Sequence, residues 1–329
     1  MTGGSVYGGA RPTYEDVLGA RARVYAALQP TPLLNHPRLD EWIGARTRVK
    51  HENHLPTGAF KVRGGLNLIA QLTDDDRTRG VVSASTGNHG QSIAFASARH
   101  GVRCRIFVPA GNNPDKNAAM RAFGAEVIEH GRDFDEARER VESLVAREGW
   151  RYVHSANEPH LIAGVGTYAH EIFEQVSDLD FLFVPIGGGS GACGCCIVRS
   201  ALKSRTKIIG VQAAGADAFS RSWRGPERVT CDRIATFAEG LATRVTYDLT
   251  FSILKQQLDD IVTLEEAELE DGVRAAVHLT HNLAEGAGAA SLAAARKYAP
   301  AAGKNVACIM TGGNIDTRTL QRILSSAGQ

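Results

Sequence analysis

Residues 180–204 of the chain read "DFLFVPIGGGSGACGCCIVRSALKS". The opening "DFLFVP" is a short apolar run, the closing "SGACGCCIVRSALKS" has the composition of a helix, and a run of glycines lies between them. Glycine at such a junction lets the backbone turn sharply where a strand gives way to a helix. A strand, a glycine turn and a helix in this order form the repeating unit of a parallel α/β sheet.

The same alternation of strand and helix recurs along most of the sequence. We therefore expect an α/β fold with mostly parallel sheets and helices on both faces. A smaller α/β domain, residues 80–158, is expected to be inserted into a larger domain made of residues 1–79 and 159–329. Thr13 and Asp16 have the spacing of a helix N-cap and its N3 partner. The other predicted strands are "VVSAS" at 81–85, "RCRIFVP" at 103–109, "AEVIEHG" at 125–131, "KIIGVQAA" at 207–214 and "NVACIM" at 305–310.

The charge of the chain is nearly balanced. Lysine and arginine number 37, aspartate and glutamate 36, and the formal net charge is +1. Such a chain has no general attraction for nucleic acid or an anionic membrane, so neither is an expected partner. No apolar run reaches a membrane-spanning length. The N-terminal "MTGGSVYGGARP" lacks the basic start and apolar stretch of a signal peptide, so we expect a short disordered segment there.

Three of the six cysteines lie together in "CGCC" at residues 193–196. They could bind a metal ion, but the motif has no matching second half downstream and follows a glycine turn where a helix should begin. We favour the alternative, in which they are small buried residues of that helix. No metal site is predicted. A chain of this size needs no disulfides, so a reducing cytoplasm is the expected compartment.

Three polar glycine loops follow predicted strands. In the first, successive glycines at residues 187–191 can point several N–H groups into one concavity at a helix N-terminus, which suits a phosphate; a tight turn without a ligand is the alternative. The loop lacks the ending of a Walker motif. The second, "SASTGNHGQS", carries Ser85, Thr86 and Asn88 and could bind a carboxylate, and the third places Thr311 at the end of a late strand. All three are expected to border one crevice.

A lysine occurs in an unusual setting, "PTGAFKVRGG" at residues 56–65. Lys61 follows Phe60 and is surrounded by glycines, which we expect to let a ligand pass close to the backbone. The segment alone is equally compatible with a structural lysine. A phosphate loop in the same chain favours a reactive amine, because desolvation lowers the pKa of a lysine and leaves part of it nucleophilic.

Taken together, these stretches resemble the pyridoxal-phosphate enzymes of the tryptophan-synthase-β fold type (fold type II), and within them the serine/threonine dehydratase family. The motif sequences "ENHLPTGAFKVRGG" and "VPIGGGSGA" are most similar to those of catabolic threonine dehydratases and hydroxyectoine-utilisation dehydratases. The resemblance implies two open twisted sheets and pyridoxal 5'-phosphate as the cofactor. The motifs, in order, are "TPLL" at 31, "PTGAFKVRGG" at 56, "STGNHGQ" at 85, "GGGSG" at 187, "AEGLA" at 238, "EGAGA" at 285 and "TGGNID" at 311.

The resemblance assigns cofactor-binding roles. It implies that Lys61 is catalytic: its amine forms a Schiff base with the cofactor and later takes the α-proton of the substrate. Phe60 would pack on the pyridine ring, Asn88 would bind the 3-oxygen of the ring, and Thr311 would face its nitrogen. The remaining cofactor-binding positions are Gly187, Gly188, Gly189, Ser190, Gly191, Gly240 and Glu285, the last without a defined role.

The resemblance also implies a substrate-binding loop. Ser85, Thr86, Gly87, Asn88 and His89 would hold the substrate carboxylate. Thr86 is a second catalytic candidate, because racemising relatives place a serine hydroxyl on the cofactor face opposite the lysine. A β-branched threonine can aim its hydroxyl in fewer ways, so little racemisation is expected. His89 could equally be a helix-start residue without a catalytic role.

The implied reaction is β-elimination from a 3-hydroxy amino acid such as L-threonine or L-serine, giving a 2-oxo acid and ammonia. An amino-acid racemase or a β-replacement synthase is the alternative on the same fold, and a non-catalytic ligand-binding module is a third. A homodimer and the absence of a C-terminal regulatory domain are expected. Metal-dependent relatives carry a glutamate where this chain has Gln212 and an acidic residue near Ala218 or Asp217, so no dependence on a divalent cation is expected.

Overall fold

The computed structural model describes residues 10–132 and 134–326, apart from the side chain of Asp135. Most of the N-terminal segment expected to be disordered, residues 1–9, therefore lies outside the described residues. The strands are β1 Leu33–Asn35, β2 Arg46–His51, β3 Val81–Ala84, β4 Cys104–Val108, β5 Glu126–Glu129, β6 Arg151–Tyr152, β7 Phe181–Pro185, β8 Lys207–Ala213, β9 Asp260–Leu264 and β10 Asn305–Met310. The helices are α1 Tyr14–Tyr25, α2 Pro37–Ile43, α3 Lys61–Ile69, α4 Asp74–Arg79, α5 Asn88–Arg99, α6 Pro114–Ala122, α7 Phe134–Glu148, α8 Pro159–Gln175, α9 Ser190–Ala201, α10 Ala218–Arg224, α11 Asp248–Gln257, α12 Glu266–Thr280, α13 Gly286–Lys297 and α14 Thr317–Ser325.

The larger sheet has six strands in the order β1-β2-β10-β7-β8-β9. Only its edge strand β1 is antiparallel to its neighbour, and the pairs from β2 to β9 are parallel. The smaller sheet has four parallel strands in the order β5-β4-β3-β6, all from residues 81–152. Two open, mostly parallel sheets were expected from the sequence, and the fold class is confirmed.

Side chains of the larger sheet alternate between two apolar layers, as the period of a strand requires. In β7, Leu182 and Val184 pack into a cluster that includes α8 and α9, whereas Phe181 and Phe183 pack into a second cluster with α12 and α13. The sheet is therefore covered by helices on both faces, which explains why its inner strands read as continuous apolar runs.

The smaller sheet is also covered on both faces. Helices α5 and α6 pack against β4 and β5, and α7 packs against β3 and β4 from the other side. Phe107, Val141, Leu144 and Trp150 contribute to a separate apolar cluster beneath α7. Helix α5 meanwhile joins the main cluster of the larger sheet through Ile93, so the smaller sheet is anchored to the rest of the chain by its inner helix.

Local predictions can be compared with the structure directly. Thr13 accepts the N–H of Asp16 at 3.2 Å while the Asp16 carboxylate accepts the N–H of Thr13 at 2.8 Å, which confirms the predicted cap of α1. The cysteines at 193, 195 and 196 are free, buried residues of α9, as expected. Among the residues that the structure describes, no helix is long and apolar enough to cross a membrane.

Candidate active site

The three glycine loops border one cavity of about 660 Å³. They follow β7, β3 and β10, so each lies at the carboxyl end of a parallel strand, where open α/β sheets form their ligand crevices. Every residue that the sequence predicted for the site lines this cavity. These residues are Phe60, Lys61, Ser85, Thr86, Gly87, Asn88, His89, Gly187, Gly188, Gly189, Ser190, Gly191, Gly240, Glu285 and Thr311.

Lys61 places its amine at the wall of this cavity. It is the first residue of α3, and the N–H of the preceding Phe60 donates to the carbonyl oxygen of Thr311 at 3.0 Å. The Lys61 amine donates to Ser190 Oγ at 3.1 Å and to the carbonyl oxygen of Ser155 at 3.4 Å. Loss of solvation lowers the pKa of the Lys61 amine from 10.5 to about 8. Part of the amine is therefore uncharged and nucleophilic near neutral pH.

The loop at residues 187–191 forms a backbone cradle next to this amine. Gly189 has a φ of +90°, which other residues rarely adopt. A Cβ on Gly187 would lie 2.1 Å from the carbonyl oxygen of Gly240, so a side chain cannot be accommodated there. Ser190 begins α9, whose first N–H groups have no partner within the helix. These N–H groups and the positive end of the helix dipole suit a phosphate.

The glycines that follow Lys61 do not have the expected role. A Cβ on Gly64 would lie 2.7 Å from Cγ of Leu161 in α8, and a Cβ on Gly65 would lie 2.4 Å from Oγ of Ser92 in α5. Both glycines are buried and allow α3 to pack closely between α5 and α8. The prediction that they bring a ligand close to the backbone is wrong for these two positions. Their effect is to fix the helix that carries Lys61.

Asn88, the first residue of α5, is held by side chains from two other loops. Its Nδ2 donates to Glu285 Oε1 at 2.6 Å, and its Oδ1 accepts a hydrogen bond from Asn314 Nδ2 at 2.7 Å. Asn314 Nδ2 also donates to the carbonyl oxygen of Thr57 at 2.9 Å. The sequence analysis did not single out Asn314, although it lies within the "TGGNID" motif, because its partner Asn88 is distant in sequence.

Two further polar residues complete the wall near Asn88. Glu285 is buried at the start of α13, and burial raises the pKa of its carboxyl group against the opposing effects of the Lys116 charge and the Asn88 hydrogen bond. Thr311 is also buried, and its hydroxyl donates to the carbonyl oxygen of Ala287 at 3.3 Å. Thr311 thus presents a neutral group to the cavity, where a carboxylate would present a charge.

The predicted substrate loop is closed by its own hydrogen bonds. Ser85 Oγ accepts the N–H of Gly87 at 3.1 Å and the N–H of Gly90 at 2.8 Å, so this hydroxyl stabilises the turn into α5. Asn112 Nδ2 donates to the carbonyl oxygen of Thr86 at 3.2 Å. The backbone of the loop is therefore fixed from both sides by hydrogen bonds within the chain itself, which suits an anion site at a helix N-terminus.

His89 is tied to the smaller sheet. Its Nε2 lies 3.0 Å from Ser83 Oγ and 3.3 Å from the carbonyl oxygen of Val153. A carbonyl oxygen can only accept, so Nε2 carries the proton. Burial, with a smaller effect from the Lys61 charge, lowers the pKa of His89 to about 3. The imidazole is therefore neutral at physiological pH, which favours a positioning role over that of a proton donor.

The cavity also contains an ion pair that the sequence analysis missed. Lys116, in α6 beside the smaller sheet, forms a salt bridge with Glu239, which belongs to the short 3-10 helix Glu239–Leu241 of the larger part of the chain. Lys116 is 8% exposed, and its Cδ lies 2.9 Å from the position of a Cβ on Gly87. The pair thus joins the substrate loop to the segment that contains Gly240.

Gln212 lies near the carboxyl end of β8. It is fully buried; its Oε1 accepts the N–H of Ser220 at 2.7 Å, and its Nε2 donates to the carbonyl oxygen of Ala216 at 3.3 Å. The side-chain amide therefore joins β8 to the start of α10 by itself. Within the described ranges, no group of three or more His, Cys, Asp or Glu side chains is placed to hold a metal ion.

The amine and the cradle together suit an aldehyde that carries a phosphate. Lys61 offers the amine that can bond to a carbonyl carbon, and the loop at 187–191 offers backbone N–H groups to the phosphate. Asn88 and Thr311 supply neutral polar groups to the space between them. The residues present therefore fit pyridoxal phosphate.

Comparison with known proteins agrees with this chemistry. A family model described as "Pyridoxal-phosphate dependent enzyme" matches residues 24–312, and the chain belongs to this family. L-threonine ammonia-lyase of Thermotoga maritima is 36% identical over 313 residues, which are 95% of this chain and 78% of the relative. Serine racemase of Schizosaccharomyces pombe is 33% identical over 315 residues, 95% of this chain and 98% of the relative.

Two further comparisons concern length and fold. The biosynthetic L-threonine dehydratase of Salmonella typhimurium is 35% identical over 306 residues, which are 92% of this chain but 60% of the relative. The solved structure of the processed form of threonine deaminase isoform 2 from Solanum lycopersicum has a TM-score of 0.90 at 28% identity and covers 99% of both chains. The resemblance to the serine/threonine dehydratases and to fold type II is confirmed.

Proposed function

We propose that this protein is an ammonia-lyase that acts on L-threonine or a close 3-hydroxy relative by β-elimination, with L-serine a poorer or comparable substrate. One observation carries the proposal: the Lys61 amine, with its pKa lowered to about 8, lies 3.1 Å from Ser190 of the phosphate cradle in a cavity that also contains the Ser85–His89 loop. The relatives named threonine ammonia-lyase and threonine dehydratase support the same reaction.

The chain's own residues account for binding and proton transfer. Bound pyridoxal phosphate supplies an electron sink for the charge left at the α-carbon of the substrate. Lys61 would hold the cofactor through its amine, and its Nζ would accept the α-proton of the substrate. The loop at residues 85–89 holds the substrate carboxylate at the N-terminus of α5. The substrate thereby loses its α-proton and its β-hydroxyl, together one water molecule, and hydrolysis of the resulting enamine yields the 2-oxo acid and ammonia.

Thr311 supports elimination over the other outcomes open to this fold. A carboxylate facing the cofactor ring would stabilise a protonated ring nitrogen, whereas the neutral hydroxyl of Thr311 does not. The cofactor would then be a weaker electron sink, and negative charge at the α-carbon would persist for less time. Prompt loss of the β-hydroxyl is favoured over slow return of a proton.

A racemase is the second candidate, because the Schizosaccharomyces pombe relative is named a serine racemase and because Thr86 keeps a hydroxyl in the cavity. Its methyl group restricts the directions in which that hydroxyl can point, so racemisation should be a trace activity. A β-replacement synthase would need a second substrate in the same cavity. Ligand binding alone does not require a nucleophilic amine, so the presence of Lys61 in the cavity disfavours a non-catalytic binding module.

The proposal is tested with a panel of substrates. L-threonine, L-serine and threo-3-hydroxyaspartate are each incubated with the wild type and with Lys61→Ala, and ammonia and 2-oxo acid are measured. We expect L-threonine to be deaminated by the wild type and almost no product from the variant. Incorporation of an added thiol without any 2-oxo acid would instead identify a synthase.

Racemisation is measured separately by chiral analysis of serine recovered from a partly completed reaction in deuterated water. We expect pyruvate to exceed D-serine greatly. D-serine carrying α-deuterium in amounts that rival pyruvate would replace the lyase with a racemase.

The division of the chain into domains is also a proposal. We propose that residues 80–158 form a small domain inserted into a large cofactor-binding domain of residues 1–79 and 159–329, which is supported by the separate smaller sheet.

A homodimer is proposed from the family resemblance and is tested by sedimentation equilibrium. A reducing cytoplasm is supported by six free, buried cysteines.

A further inference from the structure

Both ends of the Asn88 side-chain amide are hydrogen-bonded to other side chains. Its Oδ1 accepts from Asn314 and its Nδ2 donates to Glu285. The two partners come from the loop after β10 and from the start of α13, whereas Asn88 itself begins α5 beside the smaller sheet. The orientation of this amide is therefore set from across the cavity.

The hydrogen-bond pattern identifies the oxygen and the nitrogen atom of the Asn314 and Asn88 side-chain amides. The carbonyl oxygen of Thr57 can only accept, so the atom of Asn314 that lies 2.9 Å from it must be the nitrogen. The same nitrogen lies 2.7 Å from Asn88, which must then present its oxygen. Asn88 consequently directs its NH₂ group towards Glu285, at 2.6 Å.

An amide nitrogen has two hydrogens, and Glu285 takes one of them. The other hydrogen of Asn88 Nδ2 is available to a ligand in the cavity that Asn88 lines. If the amide turned over, its oxygen would replace this donor. A ligand oxygen would then meet an acceptor, and a favourable contact would become a repulsive one.

We infer that Asn314 is a positioning residue that holds the Asn88 amide with its donor facing the bound cofactor. This inference rests on the proposed function and on the role that the family resemblance implies for Asn88, binding the 3-oxygen of the cofactor ring. Asn314 does not need to touch the cofactor. It acts through Asn88, and its second bond to Thr57 fixes it to the segment that leads into Lys61.

The test uses the isosteric variant Asn314→Asp, which replaces the donor nitrogen by an acceptor, so that neither orientation of the Asn88 amide satisfies both the new carboxylate and Glu285. Two properties of the holoenzyme are measured: the wavelength of the visible cofactor band, and the free pyridoxal phosphate concentration at which half of that band is retained. Asn314→Ala, which removes the donor without adding a charge, is the second variant. Asn282→Asp is the matched control, because its amide also joins two segments of the larger part of the chain.

We expect Asn314→Asp to need about tenfold more pyridoxal phosphate than the wild type, with a shifted visible band, because the Asn88 amide is no longer held with its donor towards the ring oxygen. Asn314→Ala should show a smaller change in the same direction, and Asn282→Asp should show none. In an Asn88→Ala background, Asn314→Asp should change retention less than about twofold, since the residue through which it acts is gone.

Two results would overturn the inference alone: an unaltered band and retention in both Asn314 variants, or a full tenfold effect of Asn314→Asp in the Asn88→Ala background. A wild type that binds no pyridoxal phosphate would overturn the proposed function as well. The two failures are thereby distinguished.

Discussion

Lys61 combines two properties that oppose each other in the folded chain. Its amine must lose solvent to become nucleophilic, and that same loss destabilises its charged form. The pKa of about 8, against 10.5 in water, expresses this conflict. Between these two pH values the unfolded chain binds more protons than the folded chain, so stability rises with pH there; below about pH 8 the penalty is fully present.

The conflict predicts that Lys61→Met stabilises the cofactor-free protein. At pH 7 its free energy of unfolding should exceed that of the cofactor-free wild type by on the order of 3 kcal/mol, because the methionine carries no charge into the cavity. The gain should shrink as the pH rises from 8 towards 10.5. Urea unfolding at several pH values measures it, with the exposed Lys304→Met as the control. Equal stabilities at pH 7 would contradict the assignment of a desolvated amine.

Gln212 leads to a prediction about metal ions. A divalent cation prefers carboxylate oxygen, and the only oxygen of the Gln212 side chain already accepts the N–H of Ser220. Turnover should therefore be unchanged by a chelator and not be increased by Mg²⁺ or Ca²⁺. The rate of 2-oxo acid formation is measured before and after treatment with excess chelator. Activity that is lost in chelator and restored by either ion would show that another set of residues binds a cation.

Helix α3, which carries Lys61, is anchored by buried charges. Arg63 is fully buried and donates to the Glu52 carboxylate at 2.7 and 2.9 Å and to the Glu171 carboxylate at 2.6 and 3.0 Å. Lys50, also fully buried, pairs with Glu171 at 2.5 Å. Two cations thus balance two carboxylates, and the orientation of α3 depends on a network that extends to β2 and α8.

Removing one member of this network should be costly. Arg63→Met leaves two buried carboxylates with a single cation, and we expect a loss of about 3–5 kcal/mol in the free energy of unfolding. Arg79→Met, which breaks an exposed pair with Asp75 on α4, should cost less than about 1 kcal/mol. Urea denaturation of the two variants provides the comparison. An Arg63→Met protein as stable as Arg79→Met would show that the network does not anchor the helix.

The same network explains why one inner strand, β2, could not be predicted from the sequence. The apolar strands β3, β4, β5, β7, β8 and β10 follow directly from their composition. Strands β1, β2, β6 and β9 were not predicted; for β2 the reason is that "RTRVKH" at residues 46–51 reads as a polar surface segment. It nevertheless lies inside the larger sheet, since the Lys50 charge is neutralised by Glu171, 121 residues away. A local pattern cannot show such a pair.

For the site, the residues within contiguous motifs could be predicted from the sequence, whereas partners that are distant in sequence could not. Glycine loops and the lysine segment are contiguous in sequence, and all of the residues selected from them line the cavity. Asn314 bonds to a residue 226 positions away and Lys116 to one 123 positions away, so neither relation is visible before folding. Gly64 and Gly65 were misinterpreted because close helix packing and close ligand approach both require glycine at such positions.

At the scale of the whole molecule, the cavity is formed jointly by the two sheets and their loops. The substrate loop follows β3 of the smaller sheet, the phosphate cradle follows β7 of the larger sheet, and the lysine begins helix α3. Asn88 is bonded across the cavity to Glu285 and Asn314, and Lys116 is paired with Glu239. The relative position of the two parts is therefore coupled to the geometry of the site.

Glu239→Gln tests this coupling, because it removes the charge that faces Lys116. We expect kcat/KM to fall about fivefold while the free energy of unfolding changes by less than about 1 kcal/mol, since Glu239 is partly exposed. Steady-state kinetics at low and high salt measure the effect, and high salt should reduce the difference between wild type and variant. Glu126→Gln, at the far edge strand β5, is the control. Equal losses in both variants would rule out a specific role for the pair.

The central claim is that Lys61 is the residue to which pyridoxal phosphate is attached. It is tested most directly by reducing the purified holoenzyme with borohydride and mapping the adduct by peptide mass spectrometry. The structure predicts one stable pyridoxyl-phosphate adduct, on Lys61, because this amine is the one that lies 3.1 Å from Ser190 of the phosphate cradle with a pKa lowered to about 8. An adduct on another lysine, or no adduct in a holoenzyme that retains its cofactor, would contradict the claim.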